Sequence, residues 1–260
     1  MAVIAFVVGL YAAPSDKAPF KPDEPELAAP RHLDRMLQAD LGGMRVSIPA
    51  YFATYVEYDG DPGWGEKRTG KTPQRTPASR LRSFGFDVRY PDMAGLSSPE
   101  LFEEKRRYRS AETPWILVGF NTGESYSSDG FLDRIADGWL SRGAIGNLPS
   151  RYERMSAKEH GLEVYVQVGV DPESKKPYRE HRFAEDIFIY RDDAGRVEAE
   201  IKCSNRPVAA PPCKHYFNLD PKAKAWVYVS YRRSLLSEWR GIQDSVRRLV
   251  FSFETDPSAR

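Results

Sequence analysis

The chain has 260 residues, enough for one large or two modest domains with genuine cores. Hydrophobic residues make up 41% and aromatics 12%, which excludes disorder as the main state. A formal net charge of +1 exerts no global pull toward nucleic acid or an anionic membrane.

The opening stretch MAVIAFVVGLYAA carries no charge, and Pro14-Ser15-Asp16-Lys17 then turns polar. It is too short to span a bilayer as a helix, which needs about twenty residues, but it matches a signal-peptide core. No positive n-region precedes it, and Tyr11 spoils a small-x-small cleavage site at Ala13. The segment reads as an export signal or membrane anchor, with a buried N-terminal strand as the alternative. Residues 14–30 hold Pro14, Pro19, Pro22, Pro25 and Pro30, a stiff tether that makes sense if residues 2–13 lie in the inner membrane.

An amphipathic helix is expected over 31–41, with Leu33, Met36, Leu37 and Leu41 on one face and Gly42-Gly43 as its stop. Residues 44–58 are rich in β-branched and aromatic side chains, with Pro49 marking a bend or edge. Turn chemistry follows from Asp59 to Trp64, and then comes Gly65-Glu66-Lys67-Arg68-Thr69-Gly70-Lys71-Thr72. This octapeptide spells G-x-x-x-x-G-K-[ST], a phosphate cradle that requires a strand before it and a helix after it. Upstream there is only turn chemistry, and Pro73 and Pro77 fall where that helix would run, at about 3 kcal/mol for an interior proline. The stretch reads as a mobile basic loop beside acidic neighbours, and no nucleotide site is expected.

Residues 83–90 alternate as a half-buried strand. Ser98-Pro99-Glu100 opens a charged helix to about Tyr108, with serine as N-cap and proline in the first turn. Residues 115–120 form a short buried strand, and Phe131, Ile135 and Trp139 share a helix face that Gly143 closes. Beyond Pro149, residues 162–168 and 186–190 alternate, and Asp192-Asp193-Ala194-Gly195 turns the second run into 196–202 as a hairpin. Another hairpin joins 214–219 to 225–231 across Asp220-Pro221. A last helix spans about 234–249, with Leu235, Trp239, Ile242, Val246 and Leu249 at helical spacing. Strands segregated from helices indicate an α+β fold with antiparallel sheets. The expected organisation is a leader and tether over 1–30, then α+β halves over 31–148 and 149–260.

Cys203 and Cys213 frame a proline-rich loop, and an even count at short spacing in an exported chain reads as a disulfide. Closing that loop is worth about 3 kcal/mol in the chain-entropy model. A metal site with His215 as third ligand is the rival, but the spacing fits no zinc pattern. No catalytic residue, cofactor or metal site is expected. Thr122-Gly123-Glu124-Ser125-Tyr126-Ser127 lacks the second glycine of a nucleophile elbow, and acid pairs such as Asp192-Asp193 are adjacent, which on a strand turns them apart.

The block from Cys203 to Trp239 combines the cysteine loop, Cys213-Lys214-His215-Tyr216-Phe217-Asn218-Leu219, a strand ending Val229-Ser230-Tyr231, and Leu235-Leu236-Ser237-Glu238-Trp239. It resembles the tail of immunity proteins that bacteria encode beside antibacterial type VI secretion effectors, especially phospholipases. The resemblance covers about a quarter of the chain. It implies a periplasmic inhibitor that binds an incoming phospholipase and occludes its active site; the net charge of +1 gives the expectation of no nucleic-acid partner. A periplasmic hydrolase with an unrecognised site and a structural envelope protein stay open as alternatives. For the inhibitor, turns that pair carboxylates with an aromatic anchor are the candidate contacts: Tyr58, Asp59 and Asp61, and Tyr190, Asp192 and Asp193.

Overall fold

The computed structural model describes residues 33–62, 66–67, 69–71, 73–108, 113–123, 126, 130–142, 144–145 and 148–255; the leader and the tether lie outside them. The first described element corrects the expected helix. Residues 36–49 form a hairpin of β1 (Met36–Leu41) and β2 (Met44–Pro49). Gly42 and Gly43 both have positive φ, +58° and +100°, as a two-residue turn between antiparallel strands requires. Leu37 and Leu41 satisfy a helical stripe, yet Ala39, Leu41, Met44, Val46 and Ile48 also bury at the period of strands. Pairing and burial along both strands outweigh the local preference for a helix.

The remaining chain builds one nine-stranded antiparallel sheet. After a short 3-10 turn come β3 (Glu57–Tyr58), β4 (Leu81–Arg89), α1 (Pro99–Arg107) and β5 (Trp115–Thr122). Next are α2 (Phe131–Leu140), a small β6 (Ala144–Ile145) and β7 (Leu148–Pro149) pair, β8 (Arg151–Arg154) and β9 (Glu163–Val168). The chain ends with β10 (Glu185–Arg191), β11 (Val197–Ser204), β12 (Pro212–Asn218), β13 (Ala225–Arg232) and α3 (Trp239–Phe251). The sheet order is β3-β4-β5-β13-β12-β11-β10-β9-β8, so β13 returns to pair with β5 and joins the strands of 31–148 to those of 149–260. Antiparallel sheet with segregated helices is the expected α+β class.

Alternation assigns the faces. In β13, Ala225, Val227, Val229 and Tyr231 are buried while Trp226, Tyr228 and Ser230 are half-exposed. The first face meets α3 through Trp239, Ile242, Val246 and Val250, and each such burial is worth about 1.5–3 kcal/mol. The β1–β2 hairpin closes the same core, tied by Ser47 N–H donating to the Phe253 carbonyl at 2.8 Å. The expected 234–249 helix begins as a 3-10 turn over Arg233–Glu238 before α3. On the second face, α2 sets Leu132 and Ala136 against Ile187, Ile189 and Val197. α1 starts as expected, with Ser98 Oγ accepting from the Leu101 N–H at 3.3 Å and Pro99 in its first turn. Gly143, the expected stop of α2, lies outside the described residues; α2 ends at Leu140.

Candidate partner-binding rim

Strand direction decides what can act together. β3, β5, β10 and β12 all end at one rim of the sheet, where β4, β11 and β13 begin. Both acidic turns therefore stand at the same rim. They are separated by five to six strands, roughly 25–30 Å at the usual spacing.

The first turn is internally compensated. Tyr58 is 7% exposed, the Arg75 guanidinium lies 4.1 Å from its ring centroid, and burial raises its phenol pKa. Asp61 accepts from the Tyr58 N–H at 2.9 Å and forms an ion pair with Arg75. Asp59 pairs with Arg80 at 3.1 Å. Arg75 and Arg80 belong to the segment expected to be a mobile basic loop, so at least these two cations fold back on the acids. Within that segment Gly65, Arg68 and Thr72 lie outside the described residues, and the chain passes through a turn into β4 rather than into a helix.

The second turn is the β10–β11 hairpin. Asp192 accepts from the Ala194 and Arg196 N–H groups at 3.0 and 2.8 Å and from the Arg196 guanidinium, which holds its carboxyl below the usual range. Asp193 is exposed. Tyr190 is half-buried on the α3 side, 5.4 Å from Trp239, with the Arg240 guanidinium 4.4 Å over it. It anchors the fold as much as the surface.

Between the turns lie residues that single-sequence reasoning missed. Two adjoining grooves of about 420 Å³ each share Asp59, Arg80 and Gly123, and the second extends to Gly42, Tyr126 and Lys224. The Tyr126 hydroxyl bonds Asp220, and burial raises that carboxyl's pKa. These positions come from five segments, and no spacing pattern links them.

Two buried polar sites belong to the scaffold. Glu200 and Lys202 project from β11 under α2. Lys202 Nζ is 3.2 Å from the Trp139 ring centroid and 3.7 Å from Glu185, and burial depresses its pKa. His215 is buried against α3, its Nε2 3.0 Å from Gln243 Oε1, and burial drives its pKa down to about 3. It is a neutral packing group. The rival metal site is not built: Cys203 and Cys213 are bonded to each other, and among the described residues no three His, Cys, Asp or Glu side chains form a ligand set.

No protein-family model and no curated protein matches the chain. Two solved structures are similar. Smlt3025, an immunity protein of the Stenotrophomonas maltophilia type IV secretion system, aligns at 18% identity and a TM-score of 0.53, over 86% of this chain and 94% of that one. The Neisseria meningitidis iron-regulated outer membrane lipoprotein FrpD aligns at 14% identity and a TM-score of 0.47 over the same shares. The likeness to Smlt3025 is one of fold: this chain shares its architecture with a secretion-system immunity protein.

Proposed function

We propose that the protein is an immunity protein that binds a secreted antibacterial effector and neutralises it by covering its active site with the rim. The observation that carries this reading is the fold shared with Smlt3025 across almost the whole of both chains. The C-terminal resemblance, reached separately from residues, points to the same class. That resemblance also supplies the finer reading of a phospholipase delivered by a type VI system, whereas the structural neighbour belongs to a type IV system. The Cys203–Cys213 bond suits an oxidising compartment, in keeping with action in the periplasm.

The rim fits the task physically. A phosphodiester-cleaving site is lined with cations and donors, which a carboxylate-bearing turn can occupy. The two acidic turns are spaced to fall within one standard interface of about 800 Å² per partner. The test is to identify any secreted protein encoded beside this chain and to measure co-purification with it, together with survival of sensitive cells that express the immunity candidate. A stoichiometric complex and protection are expected. Absence of both defeats the proposal.

A further inference from the structure

Seven large apolar side chains are exposed among the described residues, and three of them stand at the end of the sheet opposite the rim. Val170 and Phe183, 56% and 50% exposed, lie on the loop between β9 and β10; Val208, 52% exposed, lies on the loop between β11 and β12. The pairing of Glu185 with Ser204 and of Cys203 with Cys213 sets these loops side by side.

The loops are held firmly. Asn205 N–H donates to the Ala184 carbonyl at 3.0 Å, and Arg206 Nε donates to the Arg182 carbonyl at 3.3 Å. Buried Asp186 accepts from Arg179, Asn205 and Arg233, and the disulfide closes the second loop. Apolar tips that project from so braced a base are already ordered for contact with a partner.

Cations stand beside the tips. The Arg182 guanidinium lies 4.6 Å from the Phe183 ring centroid. Among the described residues Arg182, Arg206, Lys175 and Lys176 have no carboxylate at ion-pair distance, whereas Arg179 and Arg233 neutralise Asp186. The acids on the same loops are Asp171, Glu173 and Glu180, and Glu159 lines a groove with Ala209, Ala210 and Pro211 of the second loop; Asp171 is engaged by Ser174 Oγ and the Glu173 N–H of its own turn.

We propose that this end docks on an anionic phospholipid bilayer, with Phe183 and Val208 entering the interface and Arg182 and Arg206 meeting the lipid phosphates. Apolar tips flanked by guanidinium groups match a surface that is apolar below and negative above. Three part-exposed side chains offer far less than the roughly 800 Å² per partner of a stable protein interface. The inference does not depend on the immunity reading, and it leaves the rim facing away from the membrane.

The full chain is tested by co-sedimentation with vesicles of equal parts phosphatidylglycerol and phosphatidylethanolamine, against pure phosphatidylcholine. Binding to the anionic vesicles that weakens with salt is expected. The pair Arg182→Glu and Arg206→Glu should weaken it about 30-fold or more, taking about 1 kcal/mol per cation, and Phe183→Ser with Val208→Ser should also weaken it. As a local measurement, the emission that Phe183→Trp adds over the native chain, which has five tryptophans of its own, should blue-shift on these vesicles and be quenched by brominated lipid. At matched ionic strength, inorganic phosphate should weaken binding no more than chloride does. Binding that is indifferent to both variant pairs, or to lipid charge, would assign attachment to another segment and overturn the proposal. So would competition by phosphate beyond that of chloride at matched ionic strength, an unshifted difference signal on vesicles, or a signal shielded without lipid by any secreted protein found encoded beside this chain.

Discussion

Glu200 sits between Tyr216 and Ile189 in the strand ladder with 0% exposure, and neither carboxylate oxygen has a hydrogen-bond donor. Burial pushes its pKa up to about 8, Lys202 pulls it down and Glu185 pushes it further up. The folded state thus holds a proton that the unfolded chain releases near the ordinary 4.5. The resulting stability is complete below that value and is lost as pH rises through about 8. Glu200→Gln should therefore match the native protein near pH 4 and exceed it at pH 9, by on the order of a few kcal/mol, in denaturant titrations. Gly42 makes a steric prediction. A Cβ there would lie 2.4 Å from the Lys224 carbonyl oxygen, at a φ of +58°, so Gly42→Ala should cost about 2 kcal/mol or more. Gly43→Ala meets no atom within 4 Å and should cost less, its φ of +100° being the only penalty. Equal melting shifts for the two variants would show that the hairpin does not dock on the β12–β13 turn.

Where β10, β11 and β12 begin or end opposite the rim, two constraints hold the elements together. The disulfide ties β11 to β12, and reduction followed by alkylation should lower stability by about 3 kcal/mol. Two freely alkylated thiols in untreated, freshly exported protein would contradict the bond. Asp186 ties β10 to the two neighbouring loops. Burial alone would raise its pKa, but hydrogen bonds from Arg179, Asn205 and Arg233 hold it below the ordinary value. That contribution is present above the ordinary 3.8 and is lost as pH falls through the lower folded value. Asp186→Ala removes the anion and leaves two guanidinium groups without their carboxylate, at about 3 kcal/mol. Its stability deficit should shrink in strong acid, and a pH-independent deficit would place the effect in packing instead.

At the scale of the molecule, the two proposed contact surfaces lie at opposite ends of the sheet. Asp193 is the cleanest probe of the rim, because Asp192 also holds its own turn and the carboxylates of Asp59 and Asp61 are paired with arginines. Asp193→Lys should weaken effector binding by about tenfold, mainly through slower association, while the protein stays folded. Reversal of Asp59 and Asp61 should cost stability as well as binding, since Arg75 and Arg80 lose their partners. Calorimetry beside thermal melting separates these effects. If both turns tolerate reversal with unchanged protection of effector-challenged cells, the covering surface lies elsewhere on the protein.

The sequence by itself determined the class and most elements. The alternation of 225–231, the Ser98-Pro99 start, the turn at Asp192 to Gly195 and the cysteine pair are local signals, each set by a few neighbouring residues. The 36–49 hairpin was legible only in part. Its leucines fit periods of 2 and 3.6 equally, and Gly42-Gly43 serves as a helix stop or as a hairpin turn. The acid-aromatic chemistry of the candidate turns was also local and visible. Only the tertiary structure decided that both turns share a rim, that Arg75 and Arg80 compensate the first of them, and that β5 and β13 merge the two parts into one sheet. Those outcomes depend on strand order and register, which follow from summed burial and backbone pairing between distant segments, and no short stretch of sequence contains that sum.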